Sequence, residues 1–373
     1  MIKDKSHKVY ISFGSNKGNR LSYIVDSLKE LEVRVGKIIR VSDLYITKSW
    51  GFKSRDFYNG CVILKTKFSP QIVLKKLLSI EDFLGRKRNG SDKYLSREID
   101  LDLLFFDQLV LSSDDLTIPH PNLNKRNFVL VPMHDIAAKF VHPIIKKSIK
   151  KLLLISKDNS DVKKINKNKY YIPFWKRYSF ISIEGNIGVG KTTLSKKIES
   201  HFNIESLNEN YKMNPFLKDF YSNPKEFSLK LENFFLNERI NEINNHFSVS
   251  SKRKTISDFW IGKSLVFAKN NLDAKSFKKY NEDFKKLNFG LRAPEIIIFL
   301  NQNSLQLKRQ IIKRGRSFEK QISKDYLDSI SREYEYILDK KHDFIYIILS
   351  PKEVLNLNHE EGQEYLFRKL INS

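Results

Sequence analysis

The chain has 373 residues, with 67 Lys and Arg against 43 Asp and Glu (formal charge +24), 40% hydrophobic residues and 27 Phe. That length predicts two or three domains, each large enough to bury its own core. No apolar run approaches the ~20 residues that span a bilayer, so no membrane partner is expected. The start, Met1-Ile2-Lys3-Asp4-Lys5, lacks the apolar stretch of a signal peptide, and a cytoplasmic location is expected. The single cysteine, Cys61, excludes an intrachain disulfide framework and a multi-cysteine zinc site. It lies in an apolar, strand-like run and reads as a buried small hydrophobe. Basic residues are spread along the whole chain without an RNP-like motif, zinc knuckle or arginine-rich arm, so no dedicated nucleic-acid partner is expected.

In chain order, residues 9–13 read as a strand and 21–31 as an amphipathic helix. Residues 38–48 and 57–67 read as two long strands. Pro70 opens a second helix that ends near Gly85, and 99–106 is a further strand. This βαββαβ order predicts a ferredoxin-like α+β sandwich. Residues 86–97 are polar and without periodicity, so a loop is predicted there. Residues 157–169 have almost no apolar content and mark a linker. Beyond it, strands at 180–183, 255–258, 296–300 and 344–348 alternate with helical stretches, the pattern of a parallel sheet covered by helices. No internal repeat is present, and two different folds are predicted.

Asp100-Leu101-Asp102 sits inside an apolar run, where strand alternation places both carboxylates on one face. Two adjacent acids on such a strand are costly unless a cation lies between them, and Mg²⁺ carried by a triphosphate would supply it. Arg97 upstream and Pro119-His120-Pro121 downstream add phosphate-binding groups at the same end. Three blocks in order, Phe13 to Arg20, Arg97 to Leu104, and Ile118 to Pro121 with Arg126 to Pro132, resemble 6-hydroxymethyl-7,8-dihydropterin pyrophosphokinase over residues 8–155. That family transfers pyrophosphate from ATP to a pterin hydroxymethyl group. The resemblance implies that Asp100 and Asp102 bind two Mg²⁺, and that Arg86, Arg97 and His120 contact ATP phosphates. It places Glu81 and Thr117 at further ATP contacts, Asn59 and Arg126 at the substrate, and Phe57 and Phe128 around the pterin ring. The loop from Arg86 to Arg97 would close over ATP and deliver Arg97. Pro121 stands where the family often has an aromatic after the histidine, and Tyr94 where it often has Trp in the loop.

The stretch Glu184-Gly185-Asn186-Ile187-Gly188-Val189-Gly190-Lys191-Thr192-Thr193 fits G-x-x-x-x-G-K-[ST] between a strand and a helix. There the backbone N–H groups cradle phosphates, Lys191 neutralises them and Thr192 can hold Mg²⁺. This form of the loop resembles deoxynucleoside kinases, and further blocks follow in order: Glu209, Asn214-Pro215-Phe216, Phe220 to Pro224, Phe234 to Arg239 and Lys313 to Glu319. The resemblance implies that Glu209 takes the proton of a sugar 5′-hydroxyl and that Tyr221 and Glu319 hold the 3′-hydroxyl. Arg314 and Arg316 would clamp the transferred phosphoryl group.

Two departures stand out. Where the family often has Glu/Asp-Arg-Ser, this chain reads Asp258-Phe259-Trp260, and Lys263 one turn on is the candidate to replace the missing arginine. The position that reads the base is Glu232 rather than glutamine. A carboxylate only accepts hydrogen bonds, which argues against thymidine and for a purine deoxynucleoside, deoxyadenosine first. A nucleoside monophosphate kinase such as thymidylate kinase, or a nucleotide-binding module without turnover, stay open for this half. A homodimer through it is a further expectation. The chain is thus expected to be a ferredoxin-like α+β domain (1–156), a linker (157–177) and an α/β P-loop kinase domain (178–373), both enzymes using Mg²⁺ and ATP.

Overall fold

The computed structural model describes residues 6–49, 54–86, 95–165, 170–250, 253–339 and 344–373. It divides into two compact units, one built on Met1–Arg177 and the other on Tyr178–Ser200 and Ile204–Ile371. Among the described residues no helix is long and apolar enough to cross a membrane.

The first unit runs β1 (His7–Ser15), α1 (Arg20–Arg34), β2 (Lys37–Val41), β3 (Leu44–Thr47), β4 (Phe57–Thr66), α2 (Pro70–Phe83), β5 (Asp100–Phe106), β6 (Leu111–Ser112), β7 (Thr117–Ile118), α3 (Asn127–Ala137), α4 (Ile149–Leu154), β8 (Val162–Ile165) and α5 (Phe174–Arg177). Its main sheet is antiparallel in the order β5-β1-β4-β3-β8, with β2 also on β4. Alternation along β1 splits the core. Val9, Ile11 and Phe13 pack with Ile24, Leu28, Val73 and Leu77 of α1 and α2. Tyr10 packs on the other side with Leu104, Val129, Leu130 and Met133, joined by the buried free thiol of Cys61.

Two expectations change here. The long strand predicted over 38–48 is broken at Ser42, whose N–H still donates to Cys61 O (2.9 Å) but whose Oγ, in place of a carbonyl, accepts from Cys61 N–H (2.9 Å), so β2 and β3 pair with separate stretches of β4. The predicted linker is fastened to the first unit. Val162–Ile165 forms an edge strand on β3, Asp158 Oδ2 accepts from Asn127 N–H at the start of α3 (2.6 Å), and Tyr171 OH donates to Glu32 Oε2 (2.5 Å). Low apolar content suits an exposed edge strand as well as a tether, and composition cannot separate the two.

The second unit runs β9 (Phe180–Gly185), α6 (Lys191–Phe202), β10 (Glu205–Leu207), α7 (Leu217–Ser222), α8 (Pro224–Ser248), β11 (Thr255–Ser257), α9 (Lys263–Asn271), α10 (Ala274–Asn288), β12 (Ile296–Leu300), α11 (Ser304–Arg314), α12 (Lys324–Leu338), β13 (Ile345–Leu349), α13 (Pro351–Asn356) and α14 (Glu360–Asn372). The strands form one parallel sheet in the order β10-β11-β9-β12-β13. Every residue of β9 and β12 is buried, as strands covered on both faces require. The carboxyl ends of β9, β10 and β11 meet at one edge, where open α/β sheets place their ligands.

Candidate active sites

In the first unit, register decides which side chains meet. Asp100 lies opposite Gly14 and Asp102 opposite Ser12 on β1, while Gly14 also lies opposite Asn59 of β4. Asp100, Asp102 and Asn59 therefore share one sheet face. A Cβ at Gly14 would come within 2.6 Å of Asn59 Oδ1, so only glycine leaves that amide its place. Asn59 Nδ2 donates to Thr47 Oγ1 at 2.7 Å.

Asp100 Oδ1 accepts from Arg86 Nη1 (2.6 Å) and Arg97 Nη1 (3.0 Å). Arg86 also donates to the buried Glu81, whose Oε1 accepts Leu101 N–H at 2.7 Å. Among the described residues Asp102 makes no ion pair of this kind. Burial, then Asp100, push its carboxyl up to about 7, with Arg126 opposing and Glu81 adding to the rise. Excess negative charge of this kind is what a divalent cation relieves. Among the described residues no cluster of three or more His, Cys, Asp or Glu could hold a metal alone. Two carboxylates plus phosphate oxygens would make the oxygen set that Mg²⁺ takes.

Around this pair, His120 Nδ1 accepts from Asn122 N–H at 3.2 Å, leaving Nε2 as the donor nitrogen. Burial and the neighbouring Arg126 keep its imidazole below the usual range. Thr117 lies exposed on β7. Guanidinium groups cover both aromatic rings singled out above: Arg97 lies 5.7 Å from the ring of Phe57, and Arg126 lies 5.7 Å from that of Phe128. Arg97 Nε is buried and has no hydrogen-bond partner among the described residues. Most of the predicted closing loop, Tyr94 included, lies outside the described residues.

Asn16 joins the site through the Arg97 backbone. Its Oδ1 accepts Arg97 N–H at 2.7 Å, its Nδ2 donates to Ser54 Oγ (2.8 Å) and Ser96 Oγ (3.2 Å), and its own N–H donates to Arg97 O. It fixes the backbone that carries Arg97. Its only signal was its place in the Phe13-Gly14-Ser15-Asn16 block.

In the second unit, a cavity of about 660 Å³ is lined by Lys191, Thr192, Glu209, Tyr221, Glu232, Arg314, Arg316 and Glu319, with Ile187, Gly188, Val189, Gly190 and Thr193 along its phosphate-loop side. Gly188 has φ +84°, and a Cβ there would lie 2.7 Å from Ile311 Cγ1. Lys191 Nζ folds back onto the loop, donating to Gly185 O (2.7 Å) and Asn186 O (3.0 Å). Burial and the nearby Lys263 lower its ammonium to about 8. Gly185 and Asn186 do not line the cavity. The Asn186 side chain turns away from it, donating to Leu327 O (2.7 Å) and Ser331 Oγ (2.9 Å) on α12. The buried Glu184 anchors the same loop by accepting from Trp260 N–H (2.6 Å) and Tyr334 OH (2.7 Å).

Asp258 joins two parts of the site. One oxygen accepts from the Thr192 hydroxyl and the other from Glu209 N–H at 2.7 Å. Glu209 Oε1 takes Arg239 (Nε 2.7 Å, Nη2 2.6 Å) and Oε2 takes Lys263 Nζ (2.7 Å). Burial alone would raise the Glu209 carboxyl, but Arg239 and Lys263 hold it well below the carboxylate range. Arg239, buried on α8, belongs to the Phe234 to Arg239 block, in which nothing in the sequence assigns it a role. Arg314 and Arg316 both pair with Glu319, the latter at 3.0 Å, and the Arg316 guanidinium lies 3.7 Å from the Tyr211 ring. Glu232 is buried, its Oε1 accepting from Asn271 Nδ2 at 2.8 Å.

Comparison with known proteins agrees with this division. Residues 10–138 match the family "7,8-dihydro-6-hydroxymethylpterin-pyrophosphokinase (HPPK)", and residues 181–372, more than half of the chain, match "Deoxynucleoside kinase". The deoxyguanosine kinase of Bacillus subtilis is 38% identical over 159 residues, which are 42% of this chain and 76% of that protein. The 2-amino-4-hydroxy-6-hydroxymethyldihydropteridine pyrophosphokinase of Aquifex aeolicus is 38% identical over 143 residues, 38% of this chain and 88% of that protein. A solved deoxyadenosine kinase from M. mycoides with bound dATP is 24% identical with a TM-score of 0.46, covering 52% of this chain and 100% of that one. This chain belongs to both families, a hydroxymethyldihydropterin pyrophosphokinase through its first unit and a deoxynucleoside kinase through its second.

Proposed function

We propose that the first unit transfers pyrophosphate from ATP to the pterin hydroxymethyl group on the sheet face that carries Asp100, Asp102 and Asn59. Its strand order supports the ferredoxin-like arrangement expected from the βαββαβ pattern. Asp100 and Asp102 would hold Mg²⁺, which when bound neutralises phosphate charge and aligns the β-phosphorus. With ATP present, Arg86 and Arg97 exchange their bonds to Asp100 for bonds to phosphate oxygens, and the Nε2 proton of His120 adds a donor. Glu81 keeps Arg86 in reach, and Thr117 lies at the nucleotide end. Asn59 reads the pterin edge between Phe57 and Phe128, with Arg126 beside them.

The second unit, in this reading, phosphorylates the 5′-hydroxyl of a deoxynucleoside, with purines favoured and deoxyadenosine first. Backbone N–H groups from Ile187 to Thr193 and Lys191 bind the ATP phosphates, and Thr192 with Asp258 would hold Mg²⁺. Glu209 accepts the hydrogen bond of the 5′-hydroxyl. A carboxylate so tightly paired is a weak base, but phosphoryl transfer through a loose transition state needs orientation of the nucleophile more than early deprotonation. Arg314 and Arg316 clamp the transferred group, and Tyr221 and Glu319 hold the 3′-hydroxyl. The single observation that carries this reading is the convergence of Lys191, Thr192, Glu209, Arg314 and Glu232 on one cavity.

Initial rates with ATP and each of four deoxynucleosides at about pH 7 test it. Deoxyadenosine, with an amino group to donate, should lead and thymidine should trail. Thymidine as the best acceptor would overturn the base assignment. Turnover of deoxynucleoside monophosphates alone would overturn the assignment of the acceptor.

A further inference from the structure

Glu232 is 1% exposed, and its two oxygens are not equivalent. Oε1 accepts from Asn271 Nδ2 at 2.8 Å, while Oε2 is buried without a hydrogen-bond partner among the described residues. The Asn271 amide is fixed in that sense, because its Oδ1 accepts from Tyr326 OH (3.0 Å) and Asn270 Nδ2 (3.1 Å). A buried carboxylate oxygen left unpaired beside a ligand cavity is one that a ligand is expected to pair. It also has the choice of carrying a proton.

The groups facing Glu232 leave that choice open. Arg239 on its own helix and Lys263 on α9 are both bound to Glu209, which itself repels a charge on Glu232. Tyr221 of α7, Tyr280 of α10 and Tyr326 of α12 are all pushed above the usual tyrosine range, burial first, and stay neutral near pH 7. Burial chiefly, against the Asn271 hydrogen bond and the two cations, brings the Glu232 carboxyl up to about 7.

We propose that the protonation state of Glu232 selects between purines, the neutral acid taking adenine and the carboxylate taking guanine. The inference rests on the reading above in which Glu232 faces the base. With Asn271 donating to Oε1, the proton sits on Oε2. The neutral acid then donates from Oε2 to adenine N1 and accepts N6–H on the free lone pair of Oε1. Ionised, it has two acceptors, which match N1–H and N2–H of guanine but set one oxygen against the lone pair of adenine N1.

The test is the ratio of kcat/KM for deoxyadenosine to that for deoxyguanosine between about pH 6 and pH 8. Titration of Glu209, Lys191 or ATP affects both substrates alike and cancels in the ratio. The ratio should fall by about ten- to a hundredfold across that range, as one ionisation requires. In Glu232→Gln, whose amide offers one donor and one acceptor at every pH, it should be flat and on the adenine side. A flat ratio in the wild type overturns the proposal, and the wild-type measurement needs no variant to fold. If the ratio is flat but Glu232→Gln still shifts base preference, Glu232 reads the base without a proton switch. If the variant shifts nothing, the base-facing reading itself fails.

Discussion

Lys263 gives the sharpest handle on the kinase half, because it is the candidate to stand in for an arginine that the family often carries, and it is bound to Glu209. Its Nζ lies 2.7 Å from Glu209 Oε2, and the two side chains are only 8% and 17% exposed, so solvent screens the pair weakly. Lys263→Met keeps the apolar stem and removes the charge. Losing one partner of a buried ion pair costs about 3–5 kcal/mol when the other charge is stranded. Glu209 retains Arg239, 3% exposed and in contact through two nitrogens, so the loss is that of one charged hydrogen bond, about 1.5–3 kcal/mol. If that loss falls on the transition state, kcat/KM for deoxyadenosine drops by roughly ten- to a hundredfold. Stability should change with a definite sign. The folded carboxyl of Glu209 lies well below its unfolded value, so its contribution is present above the ordinary carboxylate range and lost as pH falls through the folded value. Without Lys263 the folded value moves up toward the unfolded one. Acid unfolding of the variant should therefore begin at a higher pH than in wild type. Lys263→Arg, which keeps a cation there, should recover most of both properties. Wild-type kcat/KM together with unchanged acid unfolding in Lys263→Met would show that Lys263 neither holds Glu209 for catalysis nor lowers its carboxyl.

Two predictions concern the pterin half. Asn16→Ala removes the acceptor for Arg97 N–H, so pyrophosphorylation should fall about ten- to a hundredfold, the ~1–3 kcal/mol of an unsatisfied buried amide, while nucleoside phosphorylation is unchanged. Asn16→Asp keeps the acceptor and should recover part of the activity; equal loss in both variants would point away from that bond. Arg97→Ala should lower kcat strongly with little change in ATP affinity, and weaker ATP binding at unchanged kcat would instead make Arg97 a uniform binding contact.

Sequence and structure diverge for identifiable reasons. The motifs that carry charge at fixed spacing, Asp100-Leu101-Asp102 and the phosphate loop, were legible because strand alternation and a strand-to-helix turn dictate where those side chains point. Lys263 could be proposed as a substitute because the gap left by Phe259 fell within one helical turn of it. Asn16, Arg239 and Asn271 gained no role from sequence. Each acts through a partner 30 to 81 positions away, and pairing at that distance has no periodic signature. The break between β2 and β3 depends on one serine hydroxyl replacing a ladder bond, and the edge strand at Val162–Ile165 depends on a free edge of β3. Neither leaves a trace in composition. The Asn186 side chain illustrates the reverse case, a motif position whose backbone belongs to the loop while its amide ties that loop to α12.

Two separate catalytic centres on one chain require that one purified protein perform both reactions and that two variants each lose only one of them. Wild type should release AMP with hydroxymethyldihydropterin and ADP with deoxyadenosine. Asp100→Ala should abolish the first and leave the second nearly intact, and Glu209→Gln should do the reverse. Loss of both activities in either variant, or persistence of AMP release in Asp100→Ala, would contradict two separate centres.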